Sequence, residues 1–163
     1  MKKLISFALI LVLSLTLLVS CKSEPKRELN YVEFYSDNGY SLSYPDIYTP
    51  TTLTSKIDFV IIDDLSGSSL TVMTSKKEKD LSKKGFEKRL RDDGIDTSIT
   101  YFEEEKINDI PCIVMEYPYA GSKVTEIVYN ASDNMYTATF TQLPDTDGDF
   151  VSDMEALLRK LEV

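Results

Sequence analysis

The sequence predicts an α+β fold in which two helices cover an antiparallel sheet, and three observations carry that prediction. Short runs of alternating apolar and polar residues recur along the chain, the period of a half-buried strand. Tight-turn signals, Asp37-Asn38-Gly39 and Asn108-Asp109 among them, separate these runs, so that neighbours in sequence pair antiparallel. Two stretches, about Asp80 to Asp92 and Phe150 to Leu161, space their apolar residues at helical intervals instead. One internal and one terminal helix on such a sheet make an α+β domain.

The chain opens with Met1-Lys2-Lys3 and an apolar run from Leu4 to Leu18, followed by Val19-Ser20-Cys21. A basic start, an apolar middle and small residues before a cut site mark a secretory signal. At fifteen residues the run is short for a membrane span, which needs about 20. Leu18-Val19-Ser20-Cys21 resembles the bacterial lipoprotein signal, the lipobox. The resemblance implies a diacylglycerol on Cys21, cleavage just before it and acylation of the new amino terminus. Residues 1–20 are then a signal peptide, 21–30 a lipidated polar tether, and 31–163 a single domain of ordinary size.

Tyr31 to Ser36 and Tyr40 to Tyr44 read as a hairpin over Asn38-Gly39, and Pro45 ends its second strand. Residues 46–56 are a Thr- and Pro-rich loop. Ile57 to Ile62 is apolar on both faces apart from Asp58 and reads as a central strand; Ser69 to Thr74 is the next. In the first helix Leu81, Phe86 and Leu90 form the apolar stripe and Gly94 closes it, although Gly85 sits in its middle. Strands over Thr97 to Lys106, Ile110 to Tyr117, Val124 to Tyr129 and Met135 to Leu143 follow. The last helix places Phe150, Met154, Leu157, Leu158 and Leu161 on one face, with acids early and Arg159 and Lys160 late, as the helix dipole favours.

Once Gly39-Tyr40-Ser41-Leu42-Ser43-Tyr44-Pro45-Asp46-Ile47-Tyr48 is set beside this order of elements, the chain resembles PsbP-like domains. These are shared by the photosystem extrinsic protein, a Ran-binding nuclear import factor and many bacterial lipoproteins. The shared opening is a glycine, an alternating strand, a proline and then an aromatic, often Trp where this chain has Tyr48. The Asn108-Asp109-Ile110-Pro111 turn and a last strand feeding a C-terminal helix fit the same pattern. The resemblance implies an α/β/α sandwich over about residues 31–162 and carries no catalytic residues with it. A cystatin-like sheet-and-helix arrangement is the alternative.

Composition narrows the chemistry. The chain has no histidine, which excludes Ser-His-Asp and Cys-His catalysis and the common His-containing zinc sites. With Cys21 acylated, Cys112 has no disulfide partner; within Ile110-Pro111-Cys112-Ile113-Val114-Met115 it reads as a small buried hydrophobe, not a reactive thiol. Ser23-Glu24-Pro25-Lys26, Ser36-Asp37-Asn38 and Ser132-Asp133-Asn134 match fragments of penicillin-recognising enzymes. They fall in the tether and in two turns, and no Lys-Thr-Gly accompanies them. Asp145-Thr146-Asp147-Gly148-Asp149 reads as a helix start with Asp147 or Asp149 as N-cap. The alternative is a calcium site using Asp145, Asp147, Asp149 and Asp153, but Phe150 and Ala156 stand where such loops need Gly and Glu. The sequence points to no cofactor, with calcium as the alternative. The tyrosines between Tyr31 and Tyr48 read as strand packing, with sugar stacking as the other use of such rings.

Beyond residue 20 the chain holds 16 basic and 27 acidic residues, a balance of −11, which argues against nucleic acid as a partner. Against that background residues 76–91 carry eight basic and three acidic side chains. The plain reading is a solvated helix face. The functional one is contact of Lys83, Lys84, Lys88 and Arg91 with an anionic surface: lipid headgroups, an envelope polymer or an acidic protein. The sequence therefore points to a cell-envelope lipoprotein on the extracytoplasmic face, a binding or accessory domain and not an enzyme. The alternative is an envelope enzyme working through carboxylates on a polymer or small molecule.

Overall fold

The computed structural model describes residues 27–163, and the signal and Cys21 lie outside the described residues. Nine strands and two helices are present among the described residues. The larger sheet has six strands, β3 (Ile57–Ile62), β4 (Ser69–Ser75), β8 (Met135–Gln142), β7 (Ser122–Asn130), β6 (Ile110–Tyr119) and β5 (Tyr101–Ile107), in that spatial order. The smaller has three: β1 (Tyr31–Tyr35), β2 (Ser41–Pro45) and β9 (Leu161–Glu162). Every pairing is antiparallel.

Alternation along the strands gives the large sheet two apolar faces, and each has its own cover. Val114, Ile127, Ala138 and Phe140 point to one side, where helix α2 (Gly148–Leu157) and the small sheet pack. Ile113, Met115, Val124 and Val128 point to the other, under Phe86 and Leu90 of helix α1 (Lys83–Asp92), with Leu81 beside them. Layers on both faces make the sandwich and not a one-layer cystatin-like arrangement. No helix among the described residues is long and apolar enough to cross a membrane.

The turns follow their sequence signals. Gly39 takes φ 87°, and Asn108 and Asp109 both have positive φ, the twist that two-residue hairpins favour. Several boundaries differ from the sequence reading, each for a physical reason. α1 starts at Lys83 with Ser82 as N-cap, because Asp80 is occupied in accepting the Ser82 amide. β5 begins at Tyr101, after residues 97–100 have crossed over to β6 through Thr100 and Glu116. β6 and β7 run on to Tyr119 and from Ser122, leaving Ala120-Gly121 as the turn.

β3 is an edge strand, not a central one. Phe59, Val60 and Ile61 are nonetheless buried: Phe34 and Tyr44 of the small sheet pack on Phe59, Ile61 joins the same core, and the 51–54 loop bridges Val60 along the free edge. α2 stops at Leu157. The Tyr129 hydroxyl takes the Leu158 carbonyl at 2.5 Å, and the chain then turns so that Leu161 pairs with Leu42. Leu161 is fully buried, but as a strand residue, not as the next turn of the helix. The end of the polar tether is fixed as well: Arg27 reaches Asp149 and Asp153, each at 3.3 Å, and the Asp46 amide bonds the Asn30 carbonyl.

Candidate functional site

α1 forms because Ser82 accepts the Gly85 amide and because Phe86 and Leu90 have an apolar face to bury. Gly85 has a steric reason to be glycine. A Cβ there would stand 2.6 Å from the Asp80 carbonyl oxygen, so the segment leading into the helix and the helix itself touch only without a side chain. This packing turns Lys83, Lys84, Lys88 and Arg91 to solvent. Lys84, Lys88 and Arg91 fall at i, i+4 and i+7 and form one row, with Lys83 beside it. Lys76, Lys77 and Lys79 are exposed too, and none of these seven cations has an ion-pair partner among the described residues. The first turn of α1 holds no acid, contrary to the preference of the helix dipole.

Arg89 is the exception on this helix. It turns inward, stacks over the Phe86 ring at 4.4 Å, pairs with Glu78 at 3.0 Å and approaches Glu126 at 3.5 Å. Glu126 lies on β7 beneath α1 and is nearly fully buried. Tyr117 donates to one of its oxygens at 2.8 Å, while the other oxygen feels Arg89 by charge without a hydrogen bond. Burial pushes the Glu126 carboxyl above its usual range, and Tyr117 and Arg89 oppose that only in part. Nothing in Val124-Thr125-Glu126-Ile127 distinguishes this carboxylate from a surface one; only the arrival of Arg89 from a distant helix buries it.

The four acids at the start of α2 are not gathered around a common centre. Asp147 caps the helix, accepting the amides of Asp149 and Phe150. Asp149 is exposed and meets Arg27. Asp153 accepts the Tyr48 hydroxyl at 2.6 Å and the other arm of Arg27, and Asp145 sits in a left-handed turn. No group of three or more acids or cysteines is placed to hold a metal ion among the described residues. Asp147 is thus the N-cap of α2, one of the two residues the helix-start reading offered for that role. Tyr48 packs edge-on against Phe150 at 5.6 Å, and its hydroxyl is pushed up to about 12, first by burial and then by Asp153.

An open groove of about 580 Å³ lies where β5 and β6 meet the approach to α1, lined in part by Leu81, Glu104, Glu105, Pro111 and Cys112. Glu104 and Glu105 are adjacent on a strand and so point to opposite faces. Glu105 is paired with Arg159 at 2.7 Å. The groove thus lacks two facing carboxylates that could divide acid and base roles. Cys112 is buried, and burial pushes its thiol up to about 11, away from the reactive thiolate. Of the early tyrosines, Tyr40 is buried and Tyr44 and Tyr48 half-buried, all within the aromatic packing; Tyr31 and Tyr35 are exposed.

One polar centre escaped sequence reading. Asp58 receives the Tyr40 hydroxyl at 2.5 Å, the Asn38 amide at 2.8 Å and the Ser36 hydroxyl. The Ser-Asp-Asn triplet is therefore a turn whose polar atoms fasten the hairpin to β3.

No protein-family model and no curated protein matches the sequence. Among solved structures the fold is similar to cyanobacterial PsbP (CyanoP) from Synechocystis, with a TM-score of 0.61 at 12% identity, over 89% of this chain and 99% of that one. A Bacteroides thetaiotaomicron protein aligns with a TM-score of 0.49 at 14% identity, over 80% of this chain and 47% of its own. Protein PA94 of Pseudomonas aeruginosa, of unknown function, aligns with a TM-score of 0.45 at 10% identity, over 79% of this chain and 94% of its own. The order of elements, the two covered faces and the likeness to CyanoP along nearly its full length lead to one conclusion: this chain has the PsbP-like α+β fold.

Proposed function

We propose that the chain is a lipid-anchored accessory domain of the cell envelope that works by binding and not by catalysis. The observation that carries this reading is Leu18-Val19-Ser20-Cys21, a cysteine at the very end of an apolar run behind two lysines. Acylation there tethers the domain, and two or three chains are needed because one binds a bilayer only marginally. The filling of both layers supports the binding role. Among the described residues the carboxyl with a raised affinity for protons is Glu126, and it is buried between sheet and helix, where Tyr117 and Arg89 hold it.

The test is Cys21→Ala. The wild-type chain, expressed in a bacterium with its signal, is expected to incorporate a fatty-acid probe and to sediment with membranes. The variant is expected to lose both properties. A variant that still labels and still sediments with membranes would overturn the proposal.

A further inference from the structure

We propose that the exposed basic face of α1 is the binding surface of the domain. Its partner is a flexible soluble polyanion, a polymer of repeating phosphate groups, held by charge alone. The chemistry of the face argues for such an occupant. Lys83, Lys84, Lys88 and Arg91, joined by three lysines between residues 76 and 79, stand free of ion pairs among the described residues. The first turn of α1 holds no acid and adds its positive end to them, with Asp80 the one carboxylate beside the cap among the described residues. The exposed large apolar side chains all lie outside residues 76–92, so this face lacks the buried aromatic or aliphatic anchors on which protein interfaces are built. The same lack leaves nothing to insert into a bilayer. Beyond residue 20 and outside residues 76–91 the chain has a balance of −16, which repels a polyanion and confines it to this face.

Geometry separates the polymer from the anchoring bilayer, and this step alone rests on the lipidated reading of Cys21. Arg27 is clamped to Asp149 and Asp153 on α2, across the sheet from α1. The six steps from Cys21 to Arg27 span at most about 20 Å. Helix, sheet and helix are together about 30 Å thick. A lipid on Cys21 therefore keeps the α2 layer toward its bilayer and leaves the α1 face turned outward.

The experiment uses the chain from residue 22, which retains every residue of the described fold and carries no lipid. Binding of labelled inorganic polyphosphate would be followed by fluorescence anisotropy. Vesicles of phosphatidylglycerol and phosphatidylcholine, matched in anionic groups, form the second arm. With about five phosphates neutralised, polymer affinity is expected to fall roughly 100-fold between about 50 and 200 mM salt. Lys83→Gln, Lys84→Gln and Lys88→Gln together are expected to weaken low-salt binding on the order of 100-fold and to flatten the salt dependence. No binding of polyphosphate at low salt would overturn the proposal, and so would binding that the triple variant leaves unchanged. Vesicles bound as tightly as the polymer would overturn the choice of polymer over bilayer. Since this chain carries no lipid, failure here is distinct from failure of the Cys21 experiment.

Discussion

The Tyr40 hydroxyl donates to the Asp58 carboxylate at 2.5 Å, and this contact fastens the N-terminal hairpin to the edge of the six-stranded sheet. Asn38 and Ser36 bring two more donors to the same carboxylate. Asp58→Ala strands a buried hydroxyl and removes three charge-assisted bonds, so a loss of about 2–3 kcal/mol is expected in urea unfolding. Tyr40→Phe on the Asp58→Ala background should then cost less than it does alone. A loss below about 0.5 kcal/mol for Asp58→Ala would show that the contact contributes nothing.

Gly85→Ala tests the close approach of Asp80 to α1. In an open helix this change gains up to about 1 kcal/mol. Here the added methyl meets backbone at 2.6 Å, so the variant is expected to be less stable by about 1–2 kcal/mol. Chemical denaturation decides between the two signs, and a stabilised variant would mean that the segment before the helix moves aside freely.

Glu126 sets a pH dependence with a definite sign. Arg89 and Asp93 face it from α1 and its end, Glu78 from the approach segment and Tyr117 from β6. Its folded carboxyl sits above the ordinary value of about 4.3, so the folded protein binds a proton there before the unfolded chain does. Its contribution to stability is complete below about pH 4.3 and is lost as pH rises through the folded value, at up to about 1.4 kcal/mol per pH unit. Glu126→Gln keeps an acceptor for Tyr117 and removes the titration. The stability of the variant relative to wild type should therefore climb with pH over that window in a series of urea titrations. A difference that stays flat with pH would refute the assignment.

Features held by neighbours in sequence were legible in advance. The Asn38-Gly39 and Asn108-Asp109 turns, the strands beside them and the outward row of Lys84, Lys88 and Arg91 follow from local geometry alone. Features made by distant partners were not. Leu161 keeps the helical spacing of Phe150 and Leu157, yet its partner Leu42 draws it into a strand. Ile57 to Ile62 has the composition of a central strand, yet the small sheet above it and a loop along its edge give an edge strand the same burial. Glu126, Asp58 and Arg27 look like solvated charges until Arg89, Tyr40 and Asp153 reach them from at least 18 residues away.

The pairing of β2 with β9 also orders assembly in time. Ser41 meets Glu162 and Leu42 meets Leu161, so the small sheet closes only when nearly the whole domain has been synthesised. Such a long loop carries the entropy cost that makes non-local pairing slow. The β5–β6–β7–β8 meander, whose neighbours are joined by short turns, can form well before that closure. Leu161 and Glu162 thus act as the latch of the folding reaction, and amides of β2 facing β9 are the ones expected to gain protection last in pulsed hydrogen exchange.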